Sequence, residues 1–120
     1  MGQSYKDLLV WKKAMGLVTQ IYQATQKFPK EEIYGLTSQM RRSAISMPSN
    51  IAEGSGRRSS GEFRQFLIQA RGSLLELETQ IQIAGNLGYL RIQKIEELVS
   101  KTAELGRMLN GLLDYINAKK

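Results

Sequence analysis

An all-α fold, an antiparallel up-down-up-down four-helix bundle occupying residues 1–120 as one domain, is what this sequence predicts. Three observations lead there. Apolar residues recur at a spacing of three or four through four long segments. Strand-like alternation persists nowhere, and only two prolines, Pro29 and Pro48, interrupt the chain. A single domain of this length buries roughly two thirds of the surface its unfolded chain exposes, so no metal or crosslink is needed, and amphipathic helices joined by short connections pack antiparallel.

The first helix opens at Asp7, a suitable N-cap, and carries Leu8, Trp11, Met15, Val18, Tyr22 and Thr25 on one face, with Ala14 and Ile21 widening the stripe. Phe28-Pro29 ends it. The second begins near Thr37 and aligns Leu36, Met40, Ala44, Met47 and Ile51. Pro48 falls inside it, removing one donor and crowding the carbonyl of Ala44. A kink at Pro48 is expected, without a full break, because the apolar phase continues past it. Gly54 and Gly56 are expected to end this helix. Ser59 with Glu62 forms a capping-box start for the third. Its apolar face runs through Phe63, Phe66, Leu67, Ala70, Leu74, Leu77, Ile81 and Ala84 until Gly88 stops it. The fourth carries Ile95, Leu98, Val99, Thr102, Leu105, Leu109, Leu113 and Ile116.

Composition narrows the chemistry. The chain has no cysteine and no histidine, which removes disulfides, thiolate metal sites and the usual nucleophile–histidine catalysis, and makes the reducing cytoplasm the natural compartment. A carboxylate di-metal bundle needs Glu-x-x-His pairs and cannot be built in its usual form. The start MGQSYKDLLVWKK lacks the pattern of a leader, the longest apolar run, LLVW, is too short for a bilayer, and Lys6 stands where a myristoylation motif at Gly2 wants Ser or Thr. GRRSSG, residues 56–61, has P-loop glycine spacing but no following Lys-Ser/Thr and no preceding strand. No enzyme activity, cofactor, metal or membrane association is therefore expected.

The net charge of +6 is uneven: residues 1–58 hold nine basic and four acidic groups, residues 59–120 eight and seven. A positive first half suits a polyanion or an acidic protein, although such a surplus also serves solubility alone. Arg57, Arg58, Ser59 and Ser60 lead into the third helix, with Arg64 on its first turns. Free amides and the positive dipole end there favour an anion, against which Glu62 and the Ser59 cap compete. Arg41, Arg42, Lys12 and Lys13 join this site if folding brings them together.

Projection at 100° per residue also shows a second apolar seam. Ile45 and Ala52, Ile68 and Leu75, and Met108 and Tyr115 are three heptad-spaced pairs outside the main stripes. A homo-oligomer would bury them. Polar stripes run through Ser43, Ser46, Asn50 and Glu53 on the second helix and through Glu62, Gln69, Ser73, Glu76 and Gln80 on the third. If they face each other or a neighbouring subunit, Glu53 needs a donor from the arginines, Asn50 or Ser73.

The order of DLLVWKKA, YGLTSQMRRSAISMPSNIAEG, GEFRQFLIQARGSLLELETQ and AGNLGYL resembles the bacterial four-helix-bundle proteins encoded within intervening sequences of 23S ribosomal RNA genes. Ser43 and Arg71 depart from the small or neutral residues expected at those places. The resemblance implies a left-handed bundle assembled as a pentameric ring, with no settled biochemical role. A related group, the accessory proteins of diversity-generating retroelements, shares the bundle and the ring and implies nucleic acid and a reverse transcriptase as partners. The expectation is a non-catalytic homo-oligomer binding RNA or DNA through Arg41, Arg42, Arg57, Arg58 and Arg64, with Lys12 and Lys13 secondary. The alternative is a protein-interaction scaffold.

Overall fold

The computed structural model describes residues 4–118, so Gly2 lies outside the described residues. Four helices follow one another: α1 (Leu9–Thr25), α2 (Leu36–Ser55), α3 (Ser60–Asn86) and α4 (Ile92–Ala118), with 3₁₀ turns at Tyr5–Asp7 and Lys30–Glu32. No strand occurs among the described residues. The molecule measures 46 × 22 × 20 Å, and its long dimension is set by α3 and α4, since 27 residues rise about 40 Å at about 1.5 Å each.

Side-chain pairings give the direction of each helix. Arg64 reaches Asn117 and Arg71 reaches Asn110, both at 2.9 Å, so α4 runs against α3. Gly54 faces Phe63 and Phe66 while Ser46 bonds Ser73 at 2.8 Å, so α3 runs against α2. Arg41 meets Thr25 while Trp11 shares a cleft with Ala52, which sets α2 against α1. Lys13 bonds Glu104 at 3.3 Å and closes the bundle between α1 and α4.

The core takes Leu17, Ile21, Met40, Met47, Ile51, Leu67, Leu77, Leu98 and Leu109 from all four helices, each essentially solvent-free. In α1 the buried line is Val10, Ala14, Leu17, Ile21 and Thr25, rotated from the stripe expected. Met15 and Tyr22 stay exposed, and with Trp11 and Val18 they line the outer α1–α2 seam or the grooves along it. Asp7 is not the N-cap of α1. Its amide donates to Ser4 O inside the 3₁₀ turn, and Leu8 precedes the helix without a side-chain cap. That turn sets the Tyr5 ring edge-on to Trp11, with centroids 5.3 Å apart.

Three junctions show local sequence acting directly. Ser59 Oγ accepts from the Glu62 amide at 3.1 Å and starts α3. Gly88, at φ 80°, ends the α3 junction: Tyr89 N donates to Ala84 O and Gly88 N to Gly85 O, the paired closing bonds of a left-handed glycine cap. At α2 the N-cap, Gly35, has no side chain to offer, and Glu32 Oε1 accepts the Leu36 amide instead, at 3.1 Å. Helix α2 passes through Pro48, whose ring is buried, and through Gly54 to Ser55. Gly54 therefore does not terminate the helix as expected. It is a point of close approach between α2 and α3, since a Cβ there would lie 2.6 Å from Phe66 Cβ and 2.9 Å from Phe63 Cδ1.

The second seam divides. Ile68 and Met108 pack against the core, so in one chain they already have apolar partners. Ala52 is half-buried in the α1–α2 seam. Ile45, Leu75 and Tyr115 are 42%, 58% and 60% exposed.

Candidate nucleic-acid interface

The basic residues singled out in the sequence fall into two groups. Arg57 and Arg58 lie in the turn after α2, and Arg64 lies on the second turn of α3, all at the end of the bundle where α4 finishes. Arg57 donates to Glu53 Oε2 at 3.1 Å and lies over the Phe66 ring, 4.8 Å from its centroid. The Phe66 ring and Glu53 thus hold a half-exposed guanidinium in place. Arg64 Nε donates to Asn117 Oδ1, and Arg58 makes no hydrogen bond or ion pair with the described residues. The amide of Glu62 is already taken by the Ser59 hydroxyl and that of Phe63 by the Ser59 carbonyl.

Lys12 sits at the same end, because the first turn of α1 lies beside the last turns of α2, and its ammonium has no partner among the described residues. Lys13 turns to the other side and pairs with Glu104. Arg41 and Arg42 are not brought to this end. Sixteen residues of continuous chain separate Arg41 from Arg57, roughly 24 Å of helical rise. Arg41 is also occupied: Nε donates to Thr25 Oγ1 at 2.9 Å, Nη2 to Tyr22 O at 3.4 Å, and its plane covers the Tyr22 ring at 4.4 Å. It caps the last turn of α1 and ties that turn to α2. Arg42 is exposed and lines clefts on both sides of α2.

The polar stripes of α2 and α3 do face each other, in a pattern that differs from the one expected. Asn50 Nδ2 donates to Ser46 O and Oγ at 2.8 and 2.9 Å, and Ser73 Oγ donates to Ser46 Oγ. Glu53 takes no part; it is exposed and finds its donor one turn on, in Arg57. Glu76 is exposed on the rim of the same cleft. Arg71, unexpected for its place, is accommodated by Asn110 across to α4.

At the opposite end Glu32 makes a contact that the sequence does not announce: its Oε2 accepts the Tyr89 hydroxyl at 2.9 Å, tying the entry to α2 to the α3–α4 turn. Phe28 packs on the Tyr89 ring at 5.2 Å between centroids. The hydrogen bond to Glu32, then burial, then the negative charges of Glu32 and Glu31 raise the Tyr89 phenol above its ordinary value. A raised folded value makes this stabilisation complete below the unfolded phenol's pKa of about 10 and lost as pH rises through the folded value. Ultraviolet titration of the folded protein is expected to show one phenolate, absent in Tyr89→Phe, forming above that point. Glu32→Gln should bring it down, and an unchanged midpoint in that variant would show the contact to be idle.

Among the described residues no three His, Cys, Asp or Glu side chains gather where one metal ion would reach them, and no helix is long and apolar enough to cross a membrane. Two open grooves of about 460 and 320 Å³ run along the outer α1–α2 face and share Ile45. These features define a four-helix bundle with a basic turn at one end and an apolar outer face.

The profile of the 23S rRNA-intervening sequence proteins matches residues 6–111, and the chain belongs to that family. A crystal structure of a protein of unknown function from the S23 ribosomal protein family of Bacteroides thetaiotaomicron superposes with a TM-score of 0.81 at 19% identity, covering 88% of this chain and 96% of that one. That likeness is one of fold. No curated protein sequence matches the chain.

Proposed function

We propose that this chain is a non-catalytic, self-assembling bundle of the cytoplasm that binds RNA or DNA through backbone phosphates. The observation that carries the reading is the basic turn: Arg57, Arg58 and Arg64 at one end of the molecule, with Lys12 at the same end and the Arg58 head unpaired among the described residues. Charge-assisted bonds from arginine suit phosphate oxygens, and the family's link to ribosomal RNA genes agrees with RNA as the polyanion. A surface of this kind has no means of reading base pairs in a duplex, so little sequence preference is expected for the backbone contacts. Filter binding to a single-stranded oligonucleotide at two salt concentrations tests it. Affinity should fall steeply with salt, and affinity indifferent to salt would remove the proposal.

Self-association is supported by the exposed Ile45, Leu75 and Tyr115. A closed ring repeats each weak basic turn and raises its effective concentration toward one strand. Light scattering is expected to report a multiple of 13.5 kDa, fivefold for the pentamer that the family resemblance implies. A single 13.5 kDa particle would end that part of the reading.

A second reading, a scaffold for a protein partner such as a polymerase, is favoured by the outer α1–α2 face. There Tyr22 and Ile45 are exposed beside Arg42, and Met15 is exposed in the adjoining groove that shares Ile45. Co-purification of a protein partner from the native host, free of nucleic acid, would favour it over the first.

A further inference from the structure

Between α2 and α3 lies a second cleft, of about 180 Å³, apart from the basic turn. Ser46 and Ser73 line it, and the hydrogen bond between their hydroxyls joins the two helices there. On one wall Gln80 is only 8% exposed, and its Oε1 has no hydrogen-bond partner among the described residues. That oxygen is closed off from the surface, so Gln80 shapes the wall and leaves the bonding to the exposed heads around it. Arg42 and Glu76 line the same cleft without forming an ion pair. Opposite charges held apart across a polar space leave both heads able to bond something between them. The Ser43 hydroxyl, on a residue 5% exposed, adds a small polar group to the α2 wall.

These groups compose a specific pattern. Arg42 is a donor without acceptor capacity, and Glu76 offers two acceptor oxygens. The cleft has the volume of about six waters at roughly 30 Å³ each, the bulk of one planar heterocycle. We propose that it binds the Watson–Crick edge of a single unpaired guanine, an inference that rests on the nucleic-acid reading above and names the base that reading would select. Guanine alone among the four bases presents one carbonyl beside two adjacent nitrogen donors. The Arg42 guanidinium donates to O6. The Glu76 carboxylate accepts N1–H and one N2–H. Adenine and cytosine set a ring-nitrogen acceptor against the carboxylate, and uracil has one donor between two acceptors, so each leaves the carboxylate or the guanidinium opposed or unpaired. Unstacked bases of single strands are read in this way, on their Watson–Crick edges. Eleven positions along the chain separate Ser46 from Arg57, roughly 16 Å of helical rise, so a strand lying on the basic turn reaches the cleft within a few nucleotides.

The test compares four probes on the intact protein by fluorescence anisotropy or calorimetry: an adenine-only RNA oligomer, the same oligomer with one central guanine, guanosine monophosphate and adenosine monophosphate. The guanine-bearing strand is expected to bind about tenfold more tightly than its adenine-only counterpart. Glu76→Gln, an exposed and nearly isosteric change, should abolish that preference without weakening the adenine-only strand. Equal affinity for the two strands overturns the guanine site, and salt-sensitive binding of the adenine-only strand then leaves the backbone reading standing. Preference for guanosine monophosphate with no binding of either strand supports the cleft, with a free nucleotide as its source, and overturns the backbone reading. Binding of none of the probes overturns both.

Discussion

Gly54→Val is expected to lower the melting temperature by about 10 °C, from a loss of about 3 kcal/mol. The reason is the close approach of α2 and α3. Even a methyl group at this position would lie 2.6 Å from Phe66 Cβ and 3.3 Å from Phe66 Cγ. Cβ is anchored to the backbone of α3, so relief requires the two helices to move apart and the ring of Phe66, with Arg57 upon it, to shift. The intrinsic helix preference of valine over glycine works in the opposite direction by less than about 1 kcal/mol, too little to offset overpacking. Gly72→Ala supplies the contrast. It lies inside α3, exposed, with nothing near its would-be Cβ. Removing its backbone freedom should add roughly 0.5–1 kcal/mol and raise the melting temperature by a few degrees. Thermal unfolding followed by circular dichroism measures both. Equal shifts in the two variants would mean that the helices do not meet at Gly54.

The four helices are legible in the sequence because their apolar spacing is a local property, and so are the Ser59–Glu62 start and the Gly88 stop, each contained in a few residues. What is not legible depends on which neighbour a face meets. Met15 and Tyr22 carry the right period for a core stripe, yet the buried line of α1 runs through Val10 and Leu17. Periodicity locates a face to within a residue or so, and the adjoining helix decides its centre. Gly54 reads as a terminator because glycine commonly is one; its role comes from Phe63 and Phe66, on a different helix. Glu53 is readable another way, since Arg57 stands four residues on and such pairs meet on a helix surface. The separation of Arg41 from Arg57 also follows from counting residues along α2. No local signal joins Glu32 to Tyr89, 57 positions away, or leaves Gln80 Oε1 without a donor.

The double variant Arg57→Glu with Arg58→Glu is expected to weaken binding to single-stranded RNA on the order of a hundredfold at moderate salt and to flatten the salt dependence. Each phosphate of a single strand that is no longer neutralised takes about 0.7 from the slope of log affinity against log salt, so two per subunit should reduce it by about 1.4 for every subunit that touches the strand. Reversal does more than deletion. Arg57→Glu places a carboxylate one turn from Glu53, which now lacks its donor, so the turn becomes an anionic surface. Net charge and position make different demands on a control. Arg91→Glu with Lys94→Glu changes the total charge equally at the far end of the bundle, where Lys94 pairs with Glu97. If long-range attraction to a basic particle were the whole interaction, both double variants would lose affinity alike. A basic turn that touches phosphates predicts a large loss for the first and a small, salt-screened loss for the second, because charges beyond about 10 Å from the strand are largely screened at 0.1 M salt. Light scattering on both variants shows whether assembly is retained, which keeps a broken ring from passing for a missing phosphate site. Equal losses, with assembly intact, would move the nucleic-acid interface away from the α2–α3 turn.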